Sequence, residues 1–502
     1  MKNRILAVAV LAAVCCRAEV QTEMSAAGSP RPLAPEFLGY NGNFCRAGSW
    51  NDPTLLNTFR KMSPGHLRYP AGTIANYWDW KTGWFKDGTH PPHGLAQVAE
   101  NPYTLADLKK GCGEDVMPVF VLNLLTSDLE YQLEMLREAK RIGLPVKRIE
   151  LGNEYYLEKP DYMERFPAAE DYANEANRWA AAITGEFPEA KICAIGAAVR
   201  ASDGPRRTTW NGIVFPMLGK NIDAVALHIY AGSGMFINKN ELYEATGLVK
   251  AAGAQAQKSG IWGDAAQQIA QFKRFNGPDG VIDMLSMPAR RWEGMNDLVA
   301  LPNGFEVWVT EYNLFDRVGP VRGTWTHGLF AGAMTLSFLQ DDRVQMATYH
   351  SLYGNSMFCA IYENGEAFDG LVKAPTVKEY PHPAPTSLSA GGVALSIIGQ
   401  AITGMTAVQP LTFSENPSIV SPAYGPYLAL SGWLFSDGIS RKAVVLNLSG
   451  DAISVQSGLM FSSMTQFAAD PRSVICEAGD LPAAVAVTEK MELPSWSVSV
   501  FE

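Results

Sequence analysis

The chain has 502 residues, 47% of them hydrophobic and 18% charged, more apolar material than one average domain buries. A barrel of roughly 250 to 400 residues joined to a smaller module suits that length. The formal net charge of −10, from 41 basic and 51 acidic residues with no long basic run, excludes the basic patch of a duplex-binding protein and fits a partner that is neutral or weakly charged.

At the N-terminus Lys2 and Arg4 precede an apolar run from Ile5 to Cys16, and small Ala18 follows. This is a signal-peptide pattern over residues 1–18, too short to span a bilayer. Val14 before Cys15 is bulky where lipoprotein signals carry a small residue, which disfavours a lipid anchor. The expectation is a secreted or periplasmic protein without a transmembrane segment. Outside this leader stand Cys45, Cys112, Cys193, Cys359 and Cys476, odd in number and far apart, so at least one is unpaired within the chain. No C-x-x-C pair occurs, which argues against a structural zinc site.

Residues 19–35 are an N-terminal segment that can add a strand to a later sheet. From 36 to 404, short apolar runs alternate with amphipathic helices. The runs are Phe37–Tyr40, His66–Tyr69, Met117–Leu122, Arg148–Leu151, Lys191–Ile195, Ile222–Ile229, Glu306–Val309 and Met346–Tyr349. Helical patterns such as Leu129–Ile142 and Ala169–Glu186 separate them. Continuous apolar strands between helices predict a parallel sheet covered on both faces, and eight of them predict a closed (β/α)8 barrel. Two stretches read as insertions: Ala231–Gly304, mostly helical, and Tyr362–Pro385, a Pro- and Gly-rich loop. After a helix over Leu388–Ile402, residues 405–502 turn β-prone at Tyr427–Phe435, Lys442–Leu448, Ala483–Val487 and Ser495–Phe501. In the last of these Trp496, Val498 and Val500 alternate as in a half-buried strand. This predicts an all-β sandwich on the barrel.

The chemistry is carried by strand ends, because the C-terminal ends of barrel strands form the active face. Lys147–Tyr156 reads Lys-Arg-Ile-Glu-Leu-Gly-Asn-Glu-Tyr-Tyr, so a β-prone run ends in Asn153-Glu154. A glutamate in a partly desolvated pocket there can hold a proton at neutral pH, and the asparagine before it can bond a sugar hydroxyl. Val307-Trp308-Val309-Thr310-Glu311-Tyr312-Asn313 ends the seventh run in a second glutamate. Two such carboxylates can face each other across a sugar; a gap of about 5 Å permits retention and a wider one inversion. Either glutamate alone would more often be a cap, a turn or an ion-pair residue. Only seven histidines occur, without H-x-H or H-E-x-x-H, so a metal-dependent hydrolase is disfavoured and no metal or other cofactor is expected.

The pattern resembles the clan A glycoside hydrolases. Leu151-Gly152-Asn153-Glu154 is similar to the motif of the α-L-arabinofuranosidase and heparanase/β-glucuronidase families. Leu67-Arg68-Tyr69-Pro70-Ala71-Gly72, followed by Trp78-Asp79-Trp80, resembles the Arg-Tyr-Pro-Gly-Gly stretch of the arabinofuranosidases, with Ala71 in place of the first Gly. Thr310-Glu311-Tyr312-Asn313 resembles their Asp-Glu-Trp-Asn, and His228-Ile229-Tyr230 matches the aromatic end of strand six. The resemblance implies Glu154 as general acid/base, Glu311 as nucleophile, retention of configuration, and an oligo- or polysaccharide substrate. It puts Arg68 and Tyr230 beside Glu311. Asn153, His228 and Asn123 are further candidate substrate-binding residues, and Trp78 and Trp325 candidate sugar platforms; His350 at the end of strand eight stays unassigned. The family does not fix the sugar: an arabinofuranosidase-like activity is favoured, over a β-glucuronidase-, β-xylosidase- or β-galactosidase-like one or a non-catalytic carbohydrate-binding barrel.

Overall fold

The computed structural model describes residues 20–502 apart from 43–44, 46–48, 93–94, 96–98, 100, 200–202, 233–272, 294–300, 303, 316–320, 355–358, 366–381, 478–480 and 489. The expected leader and much of the two expected insertions lie outside the described residues.

Eight strands form a closed, all-parallel barrel: β1 (Leu38–Asn41), β2 (His66–Tyr69), β3 (Met117–Val121), β4 (Arg148–Glu150), β5 (Lys191–Ile195), β6 (Ala224–Gly232), β7 (Glu306–Phe315) and β8 (Val344–Tyr349). Each pairs with the next, and β8 returns to β1 through Ala347 opposite Leu38 and Tyr349 opposite Tyr40. The eight apolar runs of the sequence are these strands, with β6 and β7 extending past their expected ends. The cause of the apolar character is burial on both faces. Val225, Leu227 and Ile229 of β6 join the large core shared with the helices. Their neighbours Ala224 and Ala226 join Val119, Cys193, Trp308 and Met346 in a separate apolar cluster that plugs the barrel. Above this plug the inward positions turn polar: Arg68, Glu150, His228 and Thr310 are all buried.

Helix starts follow their capping residues. Asp128 accepts the Tyr131 amide at 2.9 Å to begin Leu129–Arg141, and Thr104 with Asp107 makes a capping box for Leu105–Cys112. The helix Ala169–Glu186 buries Tyr172, Ala176, Trp179 and Ile183, one stripe at helical spacing.

The N-terminal strand Val20–Ala26 runs antiparallel to Ala407–Phe413 and parallel to Ile453–Ser457, and the short strand Arg31–Pro32 also pairs with Ala407–Phe413, within a ten-stranded sheet whose other strands come from the C-terminal region. The sheet wraps around its own core of Met24, Leu434, Val445, Val455, Leu493 and Phe501. Its other face presents Phe435, Val444, Leu446, Val498 and Val500 to the main core. The expected strand Tyr427–Phe435 is split at Ala429 into Gly425–Leu428, in a small hairpin with Ser418–Ser421, and Leu430–Ser436 in the large sheet. The terminal strand differs more. Ser497–Phe501 is buried on both faces, not one, because it is central: Arg441–Asn447 and Ser463–Ala468 flank it, and the helix Ala390–Ile402 covers it. That helix and Trp325–Phe338 are buried almost all round. Between them Gly332 leaves no room: a Cβ there would stand 2.9 Å from Ile398 Cδ1 and 3.6 Å from Leu446 Cδ2.

This seam generates a prediction. Truncation after Gly404 should expose the apolar faces of both helices and give insoluble protein; a soluble 19–404 fragment with native circular dichroism contradicts it. In the full chain, Leu446→Ala should cost about 2–5 kcal/mol, read as a lowered melting temperature.

Candidate active site

The site is assembled around Arg68, the inward residue of β2, whose guanidinium is fully buried. Its Nε donates to Glu150 Oε2 at 2.7 Å and its Nη2 to Glu150 Oε1 at 2.9 Å. Nη2 also reaches Asn153 Oδ1 at 2.9 Å, and Nη1 reaches Glu311 Oε1 at 2.8 Å. A buried cation is tolerable only when its charge and donors are matched. Here one fork ties together residues from β2, β4, the turn after β4, and β7.

Glu311 owes its orientation to an irregularity in β7. Leu227 of β6 lies opposite Val309, but the next residue, His228, lies opposite Glu311, so Thr310 is an extra residue. Such a bulge re-aims side chains. Thr310 and Glu311 therefore both face the barrel interior: Thr310 Oγ1 donates to Glu150 Oε1 at 3.1 Å while Glu311 meets Arg68. Tyr312 then points outward, its hydroxyl 2.6 Å from that of Thr335. Glu311 Oε2 accepts from Tyr230 OH at 2.6 Å, and Asn41 Nδ2 lies 3.4 Å from Oε1. Burial favours the neutral carboxyl, but the charges of His228, His350 and Arg68 and the Tyr230 hydrogen bond outweigh it and hold Glu311 far below the usual carboxylate range. Burial holds His350 below its ordinary value. Gly72 closes the other side: a Cβ there would lie 2.2 Å from Glu311 Oε1, so only glycine lets the backbone pass this carboxylate.

Glu154 sits just past β4 with φ of 55°, in the left-handed region, after Gly152 at 91°. A Cβ on Gly152 would strike the Tyr155 ring at 2.3 Å. These two residues turn the chain sharply, so that Glu154 faces the barrel axis. Its Oε1 accepts from Tyr156 OH at 2.9 Å and lies 2.9 Å from His228 Nδ1. The other His228 nitrogen is 3.1 Å from Thr310 Oγ1. Burial and the nearby Glu311 charge favour a neutral Glu154; the hydrogen bond and charge of His228 outweigh them and lower it. Burial in turn lowers His228, and the charges of Glu311 and Glu154 outweigh that and raise it. At neutral pH the two therefore favour a hydrogen-bonded ion pair with the proton on His228, not the protonated Glu154 that the sequence leads one to expect. Glu154, His228 and Glu311 each bring one polar atom within 4.8 Å of the others. That spacing would suit a cation, yet both His228 nitrogens are already engaged, so the trio is not preorganised as a metal site.

The structure thus brings together Glu154, Glu311, Arg68, Asn153, Tyr230 and His228. It places three expected residues elsewhere. Asn123 spends its side chain on local turns, accepting from the Leu125 and Thr126 amides and donating to Trp78 O and Thr126 Oγ1. Trp78 is buried beside Tyr69, Trp84 and Phe85, with Nε1 on Tyr69 OH at 3.0 Å. Trp325 is fully buried at the seam with the sheet domain, its Nε1 on Trp496 O at 2.5 Å and its ring against Phe467. The sequence reading missed Glu150, Asn41, Tyr156 and Gly72. Glu150 was findable: it is in phase with Arg148 on a strand whose alternate residues face the interior, and a carboxylate at such a position requires a buried cation.

No protein-family model matches the sequence, and no curated protein does. Solved structures do share its fold. A family 51 α-L-arabinofuranosidase from Bifidobacterium longum aligns over 96% of this chain and 99% of its own at TM-score 0.61 and 14% identity. An arabinofuranosidase from Xanthomonas axonopodis pv. citri covers the same shares at 0.62 and 12%. A 4-O-α-L-rhamnosyl-β-D-glucuronidase from Fusarium oxysporum 12S covers 96% and 100% at 0.57 and 12%. The likeness at these identities is one of architecture, and it extends over barrel and sheet domain together.

Proposed function

We propose that the chain is a secreted or periplasmic retaining O-glycoside hydrolase, arabinofuranosidase-like, acting by double displacement on a plant, algal or host glycan. The reading divides it into a leader (1–18), a segment lending a strand to the sandwich (19–35), a catalytic barrel (36–404) and the sandwich (405–502). The observation that carries the activity is the pair Glu154 and Glu311: their oxygens approach within 4.8 Å at the barrel mouth, Glu311 held by Arg68 and Tyr230 and Glu154 by His228 and Tyr156. A gap near 5 Å suits direct attack, with no room for an intervening water. The preference for an arabinofuranosidase-like specificity rests on the Arg68-Tyr69-Pro70 stretch and on what the fold neighbours are.

In this mechanism Glu311, ionised by its neighbours, attacks the anomeric carbon. The glycosidic C–O bond breaks, and the leaving oxygen takes a proton through Glu154. The glycosyl ester on Glu311 is then attacked by water, which gives its proton back to Glu154; the ester bond breaks and Glu311 is released. Two inversions give retention. Asn153 supports binding: Arg68 holds its Oδ1, while Nδ2 is buried without a protein partner and is free to donate to a sugar hydroxyl. Tyr230 and Arg68 set the position of the attacking carboxylate.

Three predictions follow the roles. Glu311→Ala should cut turnover by several orders of magnitude, and azide should restore cleavage of an activated aryl glycoside as a glycosyl azide of inverted configuration. Proton NMR of the first sugar released by the wild type decides the stereochemistry; inversion of configuration would remove Glu311 as nucleophile.

With Glu154 lowered and His228 raised, the proton that Glu154 delivers is supplied through its hydrogen bond to His228. Deprotonation of the pair therefore sets the alkaline limb of kcat/KM above the ordinary imidazole value of 6.5. His228→Asn removes the hydrogen bond and the charge that lower Glu154 and leaves burial and Glu311 to raise it, so the limb should leave its wild-type position and report the carboxyl alone. An unmoved limb in the pH–rate profile would separate His228 from the acid.

Gly72→Ala should push the Glu311 carboxylate aside and lower kcat by about 100-fold or more, the usual result of misplacing a reacting group by about 1 Å. Unchanged kcat in steady-state assays would contradict the close approach.

A further inference from the structure

Lys159 lies five residues beyond Glu154, at the start of the short helix Pro160–Arg165. Its half-buried ammonium rests 4.7 Å from the centre of the Tyr162 ring and 3.3 Å from that ring's hydroxyl. The same hydroxyl accepts from Asn76 Nδ2 at 2.7 Å, and Asn76 Nδ2 also reaches Asn153 O at 2.9 Å. The cation therefore stands three hydrogen bonds from the backbone carbonyl that precedes Glu154. Burial lowers its pKa, and the charges of Glu154, Asp161 and Glu311 oppose that, as expected of a group beside the cleft.

What sets Lys159 apart is unused donor capacity. An ammonium has three donors and prefers an anion or full hydration. Here it has one long contact to a phenol, and no carboxylate within ion-pairing distance among the described residues. Asp161, the nearest acid in sequence, is engaged by Tyr77 OH and the Tyr162 amide. Other cations on this face are spent: Arg206 on the carbonyls of Tyr155, Phe166 and Pro167, Arg207 on Asp203 and Ala198 O, Arg165 on Glu175 and Leu124 O.

We propose that Lys159 recognises an anionic group on the glycan, the carboxylate of a uronic acid or a sulfate ester, carried by the sugar on the acid/base side of the cleft. This rests on the glycoside hydrolase reading for the placement of the sugar. A compact ammonium within the reach of the charges of Glu154 and Glu311 offsets their repulsion of an acidic substrate and gives it a fixed point of attachment.

The test is calorimetric titration of the full-length wild-type protein with D-glucose, D-glucuronate and D-glucose 6-sulfate. At least one anionic sugar should bind about tenfold more tightly than glucose, the contribution of one charge-assisted contact. Lys159→Gln should reduce the preference to about threefold or less and Lys159→Arg should keep most of it, with an unchanged melting temperature for both. Preference for glucuronate alone identifies a carboxylate, for the 6-sulfate alone a sulfate, and for both a site that reads charge. Equal binding of all three sugars, or a preference that survives Lys159→Gln, overturns the proposal. A parallel aryl-glycoside panel separates the two readings: hydrolysis without anion preference removes only the role of Lys159, whereas a Lys159-dependent preference without hydrolysis removes the enzymatic assignment and leaves the anion site.

Discussion

The buried Arg68 guanidinium is the constraint on which the active end of the barrel depends. A cation with no water around it is costly unless its donors are filled, and truncating one partner of such a set leaves the rest unpaired. Arg68, on β2, meets that demand with Glu150 and Asn153 on and just after β4 and with Glu311 on β7. The acidic partners keep the guanidinium charged despite burial. Strand positions and side-chain positions are thereby linked: β2, β4 and β7 cannot shift against one another without breaking the fork. The apolar plug beneath, with Trp308 and Met346, supplies the floor that keeps water from the underside of this layer.

The bulge in β7 solves a problem that strict alternation poses. A regular strand would send Thr310 and Glu311 to opposite faces. One would then be lost to the helix side, and either Glu150 or Arg68 would lose a partner. With the extra residue, Thr310 contacts Glu150 and His228 while Glu311 contacts Arg68 and Tyr230. The sharp turn after β4 does the same for Glu154, at the cost of a left-handed conformation in a residue with a side chain. Both glutamates thus reach the axis through local departures from regular geometry, stabilised by the contacts they make.

The barrel was legible because its signal is cumulative. Eight apolar runs between helices leave little choice of architecture, and most ends fell within a residue or two, the exception being the ends of β6 and β7, which run three and six residues past the apolar stretch. The strand-end glutamates and Arg68 were legible for a related reason: polar residues that interrupt buried strands need a purpose. Tryptophan carries no such signal. Trp78 and Trp325 are apolar enough to fill a core and polar enough to line a cleft, and only three dimensions reveal that each has its N–H satisfied inside. Asn123 failed for a similar reason, since an asparagine that closes a turn and one that binds a ligand look alike in sequence. The double burial of Ser497–Phe501 was hidden because Ser497 and Ser499 read as solvent-facing, although both are buried.

The charge balance of the site points in the same direction as its geometry. Arg68 offsets Glu150, and the Glu154–His228 pair with its single proton is neutral as a unit. What remains is the negative charge of Glu311, stabilised in place by its neighbours. A site preorganised with one uncompensated negative charge facing the barrel mouth is complementary to a reacting centre that becomes positive, as an anomeric carbon does when its bond to the leaving oxygen stretches. The same charge would repel an acidic sugar from the entrance. An ammonium with donors to spare, set just beyond Glu154, is the group that would make such a substrate acceptable without altering the charge at the reacting carbon.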